Sequence, residues 1–211
     1  MSRNQRDFVM GKKAYNSEQR QNDLSRKIST GLERISQAYK ALLWNKAKIF
    51  GLSPIQIQIL IFLAHHKRQL CNVSLLAQEF NVTKPTISDA IRVLESKKMI
   101  IKDYSSPDNR SYTILLSGLG DEVVKQTEDF DDPVALQVQG LKTKEKEALF
   151  RILAKLIFQL NRMGILTVQR TCYGCKFYQK STENHYCNLL EKPLMDSEIR
   201  LDCPEFESKA V

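Results

Sequence analysis

A chain of 211 residues with 42% hydrophobic and 27% charged side chains has the make-up of an ordinary globule large enough to bury a core. No stretch approaches roughly eighteen uninterrupted apolar residues, and the basic N-terminus is followed by no apolar run with a cleavage site, so neither a membrane span nor a secretion signal is expected and a cytoplasmic location is. The net charge of +8 favours a polyanionic partner, and the five cysteines are expected as reduced thiols or metal ligands rather than disulfides.

Residues 1–23 are polar, rich in Asn, Gln, Lys and Arg, and lack apolar periodicity. They predict a flexible basic tail, a frayed end more readily than a phosphate-contacting arm. From Leu24 the pattern turns helical: Leu24, Ile28, Leu32, Ile35, Tyr39 and Leu42 form one apolar stripe with Lys and Arg on the other face. A stripe that precedes the compact core needs a partner, and a second subunit supplies one.

Ser53, Pro54 and Gln56 have the composition of a capping box with proline at the first helical position. The helix they open, IQILIFLAHH, is apolar nearly all round and belongs in the core. His65 and His66 close it; as neighbours they face different directions, which argues against a shared metal or catalytic role.

Asn72 is placed to cap the helix SLLAQEF, buried through Leu75, Leu76 and Phe80, and Asn81-Val82 makes a turn. Thr83 caps a second helix whose inward stripe is Ile87, Ala90, Ile91 and Leu94. Its outward face carries Lys84, Thr86, Ser88, Asp89, Arg92 and Ser96, short hydrogen-bonding groups and cations suited to base edges and phosphates. A merely solvated face has the same composition; the preceding helix and the ribbon that follows favour DNA. That ribbon is predicted as strands over 99–104 and 111–116, rich in β-branched and aromatic residues, around the polar turn 105–110. At its tip Arg110 is suited to a minor groove, with Asp108 holding its guanidinium, although a plain surface ion pair reads the same way.

With those residues in view, positions 52–120 resemble the winged helix-turn-helix domain of MarR-family transcription regulators. The likeness runs through LSPIQIQILIFLA, Val73-Ser74-Leu75-Leu76-Ala77, Thr83-Lys84-Pro85-Thr86-Ile87-Ser88 and Leu94-Glu95, and on into Asp108-Asn109-Arg110 and Leu116-Ser117-Gly118-Leu119-Gly120. The resemblance implies a homodimer on double-stranded DNA. One recognition helix per subunit (about 83–97) enters successive major grooves of a pseudo-palindromic operator, with wings (about 104–112) in the flanking minor grooves. Two positions depart from it: Lys98 replaces the glycine usual before the wing strand, and Asp89 stands where a basic or neutral residue is common.

Val123, Val124 and Thr127 lie on one side of a further helix, interrupted by the acidic break 128–133. Leu141, Ala148, Leu149, Ile152, Leu153, Leu156, Ile157, Leu160 and Met163 then make a second long amphipathic helix. Two stripes flanking a small core fit dimerisation, with packing of one on the other inside a single chain as the alternative.

The resemblance stops before residues 171–207, which hold Cys172, Cys175, Cys187 and Cys203. A C-x-x-C pair turns two thiolates onto one ion, and two more complete a four-sulfur shell. Zinc is the first candidate, an iron–sulfur cluster the second, given the irregular spacing and Cys203-Pro204, and a thiol–disulfide switch the third. His185 is a substitute ligand, and Cys71 reads as a small buried hydrophobe.

The fold class predicted is mainly α with a small β-ribbon. A winged core (about 52–120) flanked by long dimerisation helices (24–168) carries a Cys-rich metal-binding module (169–211). The function predicted is a DNA-binding transcription regulator, a repressor, modulated by metal or redox state at the tail or by a small-molecule effector. A metal- or redox-handling protein using the winged domain for protein contact is the alternative. With no nucleophile–base constellation, no glycine-rich phosphate loop and only three histidines, an enzyme is not expected.

Overall fold

The computed structural model describes residues 23–105, 112–181 and 184–209, which divide into two compact units between residues 41 and 42. The predicted basic tail therefore lies outside the described residues, Asp23 excepted. Helix α1 (Leu24–Ile49) opens on Asp23, whose carboxylate accepts the Ser25 N–H at 2.8 Å. In the first unit its stripe residues Leu24, Ile28, Leu32 and Ile35 are exposed. Its last turns belong to the second unit, where Leu43 and Ala47 are buried.

The second unit is built round α2 (Pro54–His65), in which Ile57, Ile59, Leu60, Phe62 and Leu63 are all buried. Gln56 turns back to accept the Ser53 N–H at 2.8 Å, the return arm of the expected capping box. A 3₁₀ turn (Arg68–Leu70) leads into α3 (Val73–Glu79), capped by Asn72, which accepts the Leu75 N–H at 3.0 Å. Asn81 (φ 53°) makes the left-handed turn to α4 (Lys84–Ser96). Asparagine tolerates that conformation better than a bulky residue does.

The ribbon pairs β1 (Ile100–Asp103) with β2 (Thr113–Leu116), antiparallel, Ile100 opposite Leu116 and Asp103 opposite Thr113. Lys98, just before β1, has φ 58°, so the left-handed site that suits glycine is present and a lysine occupies it. Helix α5 (Gly118–Lys125) follows, capped by Ser117 through the Gly120 N–H at 3.1 Å. Here the chain passes so close to the start of the ribbon that a Cβ on Gly120 would stand 2.1 Å from the Met99 carbonyl oxygen. Cys71 is buried, burial pushes its thiol pKa up, and its carbonyl accepts the Ile114 N–H at 2.8 Å; it is the small core residue expected.

Three features depart from the sequence reading. The acidic break is not a plain interruption: from Asp132 the chain forms α6 (Asp132–Gln139), with Pro133 in its first turn, where its missing N–H costs nothing. Helix α7 (Thr143–Arg162) begins after Leu141 and buries only Ala154, leaving Leu149, Ile152 and Leu160 exposed. The cysteine-rich segment contains a second sheet, β3 (Tyr178–Lys180), β4 (His185–Cys187) and β5 (Lys192–Leu194), antiparallel in that order. Its small core is Cys172, Cys175, Tyr178, Leu194 and Ile199, with Phe150 of α7 packed against it. No single helix among the described residues is long and apolar enough to cross a membrane.

Candidate nucleic-acid interface

Helix α4 is anchored by Ile87, Ala90, Ile91 and Leu94, all buried, and its other face is free. On that face Lys84, Thr86, Asp89 and Arg92 are exposed. Three details refine the expected set. Ser88 is half-buried, because it borders the inward stripe. Thr83 caps the helix by accepting the Thr86 N–H at 3.3 Å, and the two hydroxyls lie 2.9 Å apart, so Thr86 is tied into the cap. Asp89 sits 3.0 Å from the Arg92 guanidinium, with both side chains well exposed. Such an exposed pair is worth well under about 1 kcal/mol, so the arginine is easily released to a phosphate or base.

The ribbon is fixed to this helix by Lys102, whose ammonium lies 2.6 Å from the Glu95 carboxylate near the end of α4. The hydrogen bond to Glu95 raises the Lys102 pKa. Lys102 also lies over the Tyr112 ring at 5.1 Å, and Tyr112 packs against Tyr104 at 5.4 Å between ring centres. The proposed wing-tip residues Asp108 and Arg110 lie outside the described residues.

The histidines at the end of α2 part company as expected. His65 pairs with Glu128 at 2.8 Å, whereas His66 stacks on Phe62 and meets Asp202 at 2.9 Å. Asp202 also holds Arg170 at 2.5 Å, and Arg170 reaches Glu79, the last residue of α3, at 2.9 Å. Burial works against the Arg170 charge, but the hydrogen bonds to Asp202 and Glu79 outweigh it and the pKa is raised. Lys67 adds a contact to Glu205 at 2.9 Å, and the Thr167 hydroxyl donates to the Gln78 carbonyl. Sequence reasoning missed this polar seam, since its partners lie up to 138 positions apart and no local pattern joins them.

The four clustered cysteines come together. Cys172 and Cys175 bracket a 3₁₀ turn, Cys187 ends β4, and the Cys203 N–H donates to the Arg170 carbonyl at 3.1 Å. All four line one pocket of about 40 Å³. All are free thiols, and among the described residues no three Cys, His, Asp or Glu side chains are already gathered into an ion-holding group. His185 is not directed there: one ring nitrogen meets the Tyr178 hydroxyl at 2.5 Å and the other Asp196 at 2.9 Å. Its expected role as a substitute ligand is therefore corrected.

A helix-turn-helix followed by a two-stranded wing is the architecture of DNA-binding winged domains. Residues 50–110 match the MarR family. Among solved structures the chain is similar to S. aureus MepR in complex with DNA, at 28% identity and a TM-score of 0.55, over 63% of this chain and 97% of that one. MepR in its DNA-binding conformation gives 26% and 0.56, over 63% and 98%. A MarR protein from Peptoclostridium difficile, at 20% identity and a TM-score of 0.57 over 64% and 88%, shares the fold. These relatives are nearly fully covered, while more than a third of this chain falls outside the match. No curated protein matches the chain.

Proposed function

We propose that the chain is a homodimeric, sequence-specific transcription regulator of the MarR type that works in the cytoplasm and represses by occupying a pseudo-palindromic operator. The observation that carries this reading is α4: a helix locked to the core on one side and to a β-ribbon through Glu95–Lys102, presenting Lys84, Thr86, Asp89 and Arg92 on the other. In this reading Arg92 and Lys84 meet phosphates or guanine edges, Thr86 and Ser88 trim the contact, Asp89 selects a base that offers a donor, and Arg110 supported by Asp108 enters the minor groove. MepR, similar over nearly its whole length, has been solved bound to DNA, which supports the assignment. The exposed stripes on α1 and α7 support the dimer, because a monomer gains nothing by leaving such surfaces in water.

The test is binding of the full chain to labelled promoter fragments, its own upstream region included, across a salt series. Affinity should fall steeply as salt rises. Arg92→Ala should weaken binding by about 1–3 kcal/mol, the range of one good base contact, without altering the melting curve. Absent or salt-insensitive binding to every fragment would instead favour a protein-contact role for the winged domain.

A further inference from the structure

The cysteine segment takes no part in the DNA-binding reading, yet it is the most chemically specific feature outside it. Two of its cysteines flank one turn, a third ends a strand and the fourth lies 16 positions beyond it, and the fold brings all four to one pocket. The surroundings suit sulfur ligands. The Arg200 N–H donates to Cys172 Sγ at 3.2 Å, and the Arg200 guanidinium lies 3.8 Å from Cys203 Sγ. Hydrogen bonds of this kind offset the negative charge of metal-bound thiolates and orient them. With both nitrogens of His185 engaged elsewhere, and the lining carboxylates Glu198 and Glu205 paired with Lys192 and Lys67, the donor set is four sulfurs. The pocket they line, of about 40 Å³, has room for a single ion.

The chain on either side of Cys203 is the part of the segment that touches the winged core. Asp202 holds Arg170 and His66, and Glu205 holds Lys67. Arg170, half-way between, is tied to Glu79 at the end of α3, the helix that precedes α4. Whatever fixes Cys203 therefore fixes the seam behind the helix-turn-helix.

We propose that Cys172, Cys175, Cys187 and Cys203 close round one zinc ion, and that the ion holds the chain at Cys203 in the position from which Asp202 and Arg170 brace α3. Tetrahedral zinc with Zn–S distances of about 2.3 Å draws the four thiols inward and releases their protons. The small core of the segment then gains the cross-link that its few apolar side chains do not supply. The bracing half of the proposal rests on the DNA-binding reading; the zinc half does not.

The full-length protein, purified anaerobically without chelator, should be colourless and carry about one zinc per chain by elemental analysis. Removing the zinc with a chelator should lower the melting temperature and weaken DNA binding by roughly five- to tenfold, the low end of ordinary coupling between sites. Added zinc should restore both. Cys203→Ser should fail to retain zinc. Arg170→Met, which keeps an apolar stem over Phe62 but no charge, should keep zinc while its DNA affinity no longer responds to the chelator. Metal-free protein that takes up no added zinc overturns the site, as does a brown protein holding iron and sulfide. A zinc protein whose melting and DNA affinity ignore the chelator overturns the bracing. Stoichiometric zinc in a protein that binds no DNA leaves the site standing and removes the DNA-binding reading instead. The chelator arm needs no mutant to fold.

Discussion

Gly120→Ala isolates the packing of the wing against the helix that follows it. A methyl group at this position would meet the Met99 carbonyl oxygen at 2.1 Å and the Leu116 side chain at 3.0 Å. The first obstacle is backbone, which cannot rotate away, so α5 or the start of β1 must retreat by about an ångström. That oxygen already accepts the Ser117 N–H at 3.1 Å, and retreat weakens this bond as well. Overpacking of this kind costs about 1–3 kcal/mol, against which alanine recovers at most about 1 kcal/mol of helix propensity. With that gain subtracted in full, the net loss of up to about 2 kcal/mol corresponds to a melting temperature lower by up to roughly 8 °C for a chain of this size. Gly118→Ala is the control, because a Cβ there has nothing within 4 Å, and it should melt at or slightly above the parent. Differential scanning calorimetry of the two variants decides the matter. If Gly120→Ala melts as high as Gly118→Ala, the close approach does not constrain the fold and the reasoning is refuted.

Other substitutions probe other parts of the same construction. Lys98→Gly relieves a left-handed lysine that costs about 1–2 kcal/mol, and after the extra entropy of an unfolded glycine it should stabilise by up to about 1 kcal/mol in chemical denaturation. Asn72→Ala removes the acceptor of the Leu75 N–H and should cost about 1 kcal/mol by the same measurement. Ile28→Asp and Ile152→Asp place a charge on the exposed stripes of α1 and α7; each should shift the sedimenting species from dimer to monomer, and a parent protein that is already monomeric defeats the dimer proposal.

The winged core was legible because its signals are local. Asn72 and Thr83 announce helix starts by their own side-chain chemistry, and the inward stripe of α4 repeats at helical spacing. The glycine site before the wing was legible too, since Lys98 has the left-handed backbone that the resemblance assigns to a glycine. What escaped the sequence was short or distant. Strands β3, β4 and β5 have three residues each, too few for alternation to show. The Arg170–Glu79 and His66–Asp202 pairs join positions far apart, so that only the folded chain reveals them. On α4 the exposed face was legible while two circumstances were not. Ser88 sits nearer the core than helical geometry alone suggested, and Thr86 shares its hydroxyl with the cap.

The ion pair between Glu95 and Lys102 bears on how a reader of this kind changes its mind. With Lys102 of the ribbon 2.6 Å from Glu95 of the helix, the two parts that would address a half-site under the proposed function are held together. In the proposed dimer, a signal that reaches one subunit would carry the whole reading head to a new place without altering what it recognises. Under the proposed function, discrimination between bound and released states would rest on the distance separating two heads across a symmetry axis, and the spacer between half-sites, not the letters within them, would be where an operator is tuned to a signal.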